Sequence, residues 1–149
     1  MKNILSIIIT VLLGVLHSNE SLLAQSQNLV VISNSKGVPS EITLKELVTV
    51  MKGEKQRWAD GTRISIALMK TSTAIGETTS NKIYGMTGDE MNKFWLALVF
   101  QGKAKAPVFF SSPSELESYI SQTPGAIGVV EDTPDVKSKP VMVDGKKTL

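Results

Sequence analysis

Short apolar runs between polar loops divide most of this chain into predicted strands. The run LVVI at 29–32 is rich in β-branched residues and ends in a polar loop, which is typical of a buried strand. Ile64, Ile66 and Leu68 alternate with less apolar neighbours and predict a second strand. The five predicted strands cover residues 29–32, 63–69, 107–110, 126–130 and 140–143.

Apolar stripes with i, i+3, i+4 spacing predict helices between these strands. Three of the helices open on a threonine or serine with a glutamate three residues later, the pattern of a capping box. These pairs are Thr43 with Glu46, Thr87 with Glu90, and Ser112 with Glu115. The apolar face of the helix after Thr87 comprises Met91, Phe94, Trp95, Leu98 and Val99. A weaker helix is predicted around 74–84, with Thr71, Ser72 and Thr73 as candidate caps.

The alternation of strands and helices predicts an α/β fold. We expect a single three-layer lobe, with a mixed, mostly parallel sheet flanked by helices. The sequence shows no internal repeat, so residues 25–149 are interpreted as one domain with its core at about 28–143. Ligands of such folds bind beyond the carboxyl ends of strands, where helix N-termini point.

The first 24 residues predict an export signal, which leaves 25–149 as the mature chain. Lys2 supplies a positive start, and 4–16 is an almost unbroken apolar run of 13 residues. A spanning helix needs about 20 apolar residues, so this run is short for one. Cleavage after Ala24 competes with the junctions at Ser18 and Ser21, and an uncleaved membrane anchor is the alternative interpretation. The sequence therefore predicts an exported protein whose only membrane contact is this segment.

Residue types restrict the chemistry of the mature chain. The sequence has no cysteine, and its one histidine, His17, lies in the predicted signal. This excludes cysteine and serine–histidine nucleophiles, the usual zinc sites and disulfides. Without Lys2 and Glu20 the chain keeps 15 basic and 13 acidic residues, with the basic ones scattered, which gives no electrostatic case for nucleic acid. No carboxylate pair is spaced for acid/base catalysis, so we expect a non-enzyme without a cofactor or metal.

The segment Lys70-Thr71-Ser72-Thr73 is the first candidate binding site, because it joins a predicted strand to the start of the weak helix. Hydroxyl donors, backbone N–H groups and the positive end of a helix dipole converge at such a point, and an anion binds there. The third helical position holds Gly76 instead of a capping glutamate, which would leave the helix start open for an external anion. The alternative interpretation is that these hydroxyls are ordinary caps.

A second candidate follows the first strand, where Ser33, Asn34 and Ser35 with Lys36 offer similar donors. If the two preceding strands are neighbours in the sheet, the two loops converge on one ligand; otherwise this is an ordinary polar loop. Aromatic residues provide a third possibility, a stacking platform at Trp58 or Trp95. The helical spacing of Trp95 favours core packing instead.

The order of several segments resembles the phosphate-binding proteins of ABC importers. The segments are LVVISN (29–34), ITLKELVTVMKGEKQRWADGTRI (42–64), MNKFWLALVFQGKAKAP (91–107) and YISQTPGAIGVV (119–130). The chain is more closely similar to their short, single-lobe relatives, over about 28–131. The resemblance implies the type II periplasmic binding protein fold and a periplasmic location.

The same resemblance implies a phosphate or similar oxyanion as ligand. In the importer proteins a basic residue followed by Ser-Gly-Thr opens a helix and holds phosphate oxygens. The matching segment here is 70–73, in which Ser72 replaces the glycine. Because the length suffices for one lobe only, weak binding is expected unless a homodimer or an envelope protein supplies the opposing face. The rival expectation is an envelope accessory protein that keeps the fold without a ligand.

Overall fold

The computed structural model describes residues 27–149, so the predicted signal at 1–24 lies outside the described residues. The strands are β1 (Leu29–Ser33), β2 (Glu41–Ile42), β3 (Ser65–Met69), β4 (Val108–Phe110), β5 (Ala126–Glu131) and β6 (Lys139–Val143). The helices are α1 (Leu44–Met51), α2 (Ala74–Thr79), α3 (Gly88–Phe100) and α4 (Pro113–Gln122), and a π-helical turn at Ser80–Tyr84 continues α2. The five predicted strands and four predicted helices are confirmed. The two-residue β2 is too short to leave a sequence pattern.

The six strands form one mixed sheet in the order β2-β6-β1-β5-β3-β4. β1 runs antiparallel to both of its neighbours, β5 and β6. The other three pairings, β2 with β6, β3 with β4 and β3 with β5, are parallel. The α/β fold and the mixed sheet are therefore confirmed. Because β1 runs opposite to its neighbours, the loop after β1 lies at the other end of the strands from the loop after β5.

The crossover connections place helices on both faces of this sheet. The connection from β3 to β4 passes through α2 and α3 toward one edge, whereas the connection from β4 to β5 passes through α4 in the opposite direction. Because such crossovers are right-handed, opposite directions put α4 on the other face from α2 and α3. Helix α4 packs closely on β5, where a Cβ at Gly128 would meet the Ile120 and Leu116 side chains.

The helix starts follow the predicted caps, but only one capping box has both halves. Thr43, Thr87 and Ser112 each accept the backbone N–H three residues on. At α3 the Glu90 carboxylate also accepts the Thr87 backbone N–H at 2.8 Å, and this bond lowers the pKa of Glu90. At α1 the reciprocal glutamate, Glu46, instead accepts from Lys55 Nζ at 2.6 Å.

Trp58 joins two of the four segments that carry the resemblance, 42–64 and 119–130. The side chain is 3% exposed, and its indole N–H donates to the Gly125 carbonyl at 2.9 Å. Gly125 has a φ of +76°, which favours glycine, and its own N–H donates to the Lys36 carbonyl. The suggested stacking platform at Trp58 is therefore wrong, because the ring is part of the core. Trp95 is buried as expected.

Helix α3 differs from its predicted packing at one end. Met91 and Trp95 are buried, and Phe94 and Leu98 are half-buried. Val99 was expected on the same face but is 42% exposed, so the buried stripe of α3 ends before it. Among residues 27–149, no helix has both the length and the apolar character needed to cross a membrane.

Candidate functional site

The segment 70–73 lies at the carboxyl end of β3, where the chain turns into α2. Thr73 is the N-cap: its Oγ1 accepts the Gly76 N–H at 3.0 Å and donates to the Lys70 carbonyl at 2.7 Å. The predicted cap is confirmed, and its hydroxyl proton is already used within the turn. Thr73 therefore shapes the segment and does not offer a donor to a ligand.

Other groups in this segment remain available to a ligand. Thr71 Oγ1 accepts from Asn92 Nδ2 at 2.9 Å, which leaves the threonine proton to donate. Ser72 and Lys70 are exposed, and within the described residues neither side chain makes a hydrogen bond. The first helical turn also presents the N–H groups of Ala74 and Ile75, which have no partner inside the helix.

A shallow, open hollow of about 300 Å³ adjoins this segment, at the low end of the size of small-molecule sites. Its lining residues are Thr71, Ser72, Glu77, Thr87, Gly88 and Asp89. The N-termini of α2 and α3 thus meet at one place, so two helix dipoles direct their positive ends toward it. Because the Thr87 hydroxyl bonds to Glu90, it is committed to the capping box.

Carboxylates oppose the positive character of this hollow. Glu77 and Asp89 both line it. The Glu77 Oε2 atom lies only 2.6 Å from the position of a Cβ built on Gly88, so the carboxylate sits at the first residue of α3. An acidic group there satisfies the helix dipole from within the chain and repels an external anion.

Close packing explains why a glycine occupies position 76, and the sequence alone does not reveal this. A Cβ on this residue would overlap the Lys70 carbonyl, and it would lie 2.8 Å from the Met69 carbonyl. The third helical position of α2 therefore has no room for a capping glutamate. The absence of the glutamate is explained by close packing of α2 on the end of β3, and it does not by itself indicate an anion site.

The loop at 33–35 lies at the opposite edge of the sheet from the segment 70–73. β1 is antiparallel to β5, so Ser33 sits beside Ile127 near the beginning of β5. β3 and β5 are parallel and begin side by side, so the end of β1 lies near the start of β3. A five-residue strand separates the two loops by about 15 Å. The expected convergence is therefore wrong, because β5 lies between the two strands and β1 runs the other way.

Asn34 and Ser33 are both buried, but only the Asn34 side chain has hydrogen-bond partners among the described residues. The Asn34 amide donates to the Ile120 and Ser121 carbonyls at the end of α4, and its Oδ1 accepts the Lys36 N–H. Ser33 is 3% exposed, and its hydroxyl has no hydrogen-bond partner in the described part of the chain. Ser35 is exposed. The Asn34 amide group is thus already bonded within the fold, and a secondary anion contact at these three residues stays a prediction.

Substitution of Ser33 by alanine tests whether its buried hydroxyl lacks a hydrogen-bond partner. Removing a buried hydroxyl without a partner also removes its desolvation cost, so we expect stability to stay unchanged or rise by up to about 1 kcal/mol. Urea unfolding of the Ser33→Ala variant measures the difference. A loss above about 1 kcal/mol would mean that the hydroxyl has a partner in solution.

Sequence reasoning missed three residues that surround the segment 70–73. Thr87 and Asp89 line the hollow, and Asn92 binds Thr71. All three belong to the start of α3, about 15 to 20 residues further along the chain. The capping box at Thr87 predicted the N-terminus of α3. Its position beside the N-terminus of α2 depends on tertiary packing, which the sequence does not show. Within residues 27–149, no group of three acidic side chains is placed to hold a metal ion.

The architecture of this chain is shared with receptors of phosphate transport. A receptor of ABC-type phosphate transport from Vibrio cholerae superimposes with a TM-score of 0.61 at 15% identity, over 83% of this chain and 49% of the receptor. The fold is that of a type II periplasmic binding protein. PstS from Borrelia burgdorferi is similar, with a TM-score of 0.60 at 16% identity over 80% of this chain and 48% of PstS.

A phosphate ABC transporter substrate-binding protein from Clostridium perfringens, determined with phosphate bound, gives a TM-score of 0.59 at 14% identity. This match covers 80% of the chain and 46% of that protein. The chain thus spans about half the length of each type II protein it resembles. No protein-family model matches the sequence, and no curated protein is significantly similar to it. At these identities the likeness establishes the fold, including its fit to one lobe.

Proposed function

We propose that this chain is an exported, non-enzymatic binding module that takes phosphate or a similar oxyanion weakly at the start of α2. The observation that carries the proposal is the turn 70–73, which presents an unpaired lysine and two hydroxyls at a helix N-terminus beyond the end of β3. The type II fold, shared with phosphate transport receptors, supports this function. The apolar start of the sequence supports export to the periplasm.

In this proposal Lys70, Thr71 and Ser72 contact the anion with the N–H groups of Ala74 and Ile75. Thr73 holds the turn through its two hydrogen bonds and lends no donor. Charge-assisted hydrogen bonds of this kind are strong when desolvated and weaker in an open site. The hollow is open, so millimolar affinity is the expectation for the chain on its own.

Within the described residues the site has one face only, since the hollow is open on its other side. The chain spans about half of each structural relative, and one lobe leaves a bound anion facing water. A second copy or an envelope protein that covered the hollow would strengthen every hydrogen bond to the anion by excluding that water.

Calorimetric titration of the exported, purified protein with phosphate and with sulfate tests the proposal. Heat is the appropriate signal, because both tryptophans are buried and Trp58 lies at the other edge of the sheet. We expect saturable binding, reduced at least about tenfold in a Lys70→Gln, Ser72→Ala variant that loses a charge and a donor. Ser35→Ala with Lys36→Gln is the matched control, since it removes the same residue types from the opposite edge.

Glu77→Gln is expected to bind phosphate about fivefold more tightly than the unmodified protein. Removing one negative charge about 5 Å from the anion relieves roughly 1 kcal/mol of repulsion at the dielectric constant of water, which applies because the hollow is open. The same calorimetric titration measures this change. An unchanged or weaker affinity would show that the Glu77 carboxylate does not face the bound anion.

The second candidate function is an envelope accessory protein that keeps the fold without a ligand. The two carboxylates in the hollow and the serine in place of a glycine favour it. An absence of saturable heat with phosphate and sulfate at millimolar concentrations would support this candidate and contradict anion binding.

A further inference from the structure

Helix α3 carries an apolar surface that its fold does not use. Leu96 is 71% exposed, Phe100 is 91% exposed and Val99 is 42% exposed. These three residues have i, i+3, i+4 spacing and therefore share one side of the helix, here called the outer face of α3. Met91 and Trp95 are buried on the side opposite to Phe100, and Val99 lies at the border between the buried and exposed sides. A helix that is apolar on two sides is normally covered on both.

The outer face of α3 lies in a part of the sequence whose only charged residues are lysines. Residues 91–114 contain no aspartate or glutamate, but they contain Lys93, Lys103 and Lys105. Lys93 is one turn before Leu96 on the same side of α3, and the other two lysines follow the helix end. All three are exposed, and none forms a salt bridge within the described residues. Two acids precede this stretch in the first turn of α3: Glu90 is held by the Thr87 capping box, and the exposed Asp89 lies one turn before Lys93.

We propose that the outer face of α3 docks on a membrane surface that contains anionic lipids, a membrane contact in addition to the N-terminal segment predicted from the sequence. Apolar side chains on a helix flanked by lysines insert at the headgroup boundary while the lysines bind lipid phosphates. The exposure of Leu96 and Phe100 fits this partner, because apolar side chains that project from a helix can insert into a headgroup layer.

A second copy of the chain fits this face less well. A twofold contact sets a surface patch against itself, which would bring the three lysines of each copy together without an acidic partner from 91–114. Three side chains also fall far short of the roughly 800 Å² per partner that a stable protein interface buries.

Co-sedimentation of the exported protein with vesicles tests the proposal. One set of vesicles contains phosphatidylglycerol and phosphatidylcholine in equal amounts, and the other contains phosphatidylcholine alone. We expect binding to the anionic vesicles, weakened by salt and at least about tenfold lower in Leu96→Ser with Phe100→Ser. Replacing the three lysines by glutamine should cost about fivefold for each lysine.

Leu44→Ser is the matched control, because Leu44 is also an exposed leucine on a helix but lies beside Asp144 at the other end of the sheet. It should bind vesicles as the unmodified protein does. The substituted residues are exposed, so circular dichroism is expected to show folded variants, and phosphate binding should not change. Equal binding to both vesicle types, absence of binding, or unchanged binding by the Leu96 and Phe100 variant would each overturn the proposal. In the second case an acidic protein would become the favoured partner.

Discussion

Trp58→Ala is expected to lower the free energy of unfolding by about 4 kcal/mol, the usual cost of removing a buried tryptophan side chain. The ring is 3% exposed, and its N–H bonds to the Gly125 carbonyl in the turn before β5. The substitution removes packing from the core and also the hydrogen bond from the Trp58 N–H to the Gly125 carbonyl, which joins the loop after α1 to this turn. Urea denaturation followed by circular dichroism measures the change.

A pair of phenylalanine variants separates the hydrogen bond from the packing. Trp58→Phe loses a formed N–H bond, whereas the Trp95 N–H has no partner of good geometry among the described residues. We expect Trp58→Phe to be more destabilising than Trp95→Phe by about 1 to 2 kcal/mol, since the Gly125 carbonyl loses a buried donor. Equal losses in the two variants would show that this bond does not stabilise the fold.

Gly76→Ala is expected to destabilise the protein by about 3 kcal/mol or more, although alanine is the better helix former by about 1 kcal/mol. The new methyl group would overlap the Lys70 carbonyl, which cannot yield without moving the turn 70–73. Thermal unfolding measures the loss, and phosphate binding should fall with it.

Gly88→Ala serves as the comparison for this substitution. Its methyl group meets the tip of the Glu77 side chain at 2.6 Å and the Thr71 Cβ at 2.9 Å, so side-chain movement can relieve most of the crowding. We expect a smaller loss than at Gly76. If the two alanine variants were equally stable, close packing of α2 on β3 would not explain Gly76.

Local signals in the sequence predicted the elements of this fold well. The β-branched run at the first strand, the Thr87 capping box and the proline at the start of α4 each act within a few residues, so a local pattern reveals them. Strand order and direction depend on pairing between residues about 100 positions apart, such as Ser33 with Ile127. No local pattern contains that information, so the sequence left open whether the two candidate loops converge.

The candidate site was predicted only in part for the same physical reason. The position of 70–73 before a helix followed from the sequence, and so did Thr73 as a possible cap. Its committed hydroxyl, the approach of Glu77 to α3 and the steric role of Gly76 arise from packing between elements. Asn34 shows the converse case, because a polar loop residue that suggested a ligand instead binds carbonyls at the end of α4.

A phosphate titration monitored through backbone amide chemical shifts tests whether an oxyanion binds at the start of α2. We expect saturable shifts with a dissociation constant of about 1 mM, largest at residues 70–76 and smaller at 87–89. We also expect that residues 33–36 at the opposite edge do not respond. Shifts that do not saturate would show that phosphate does not bind specifically, and shifts that are largest at 33–36 would place the site at the other end of the sheet.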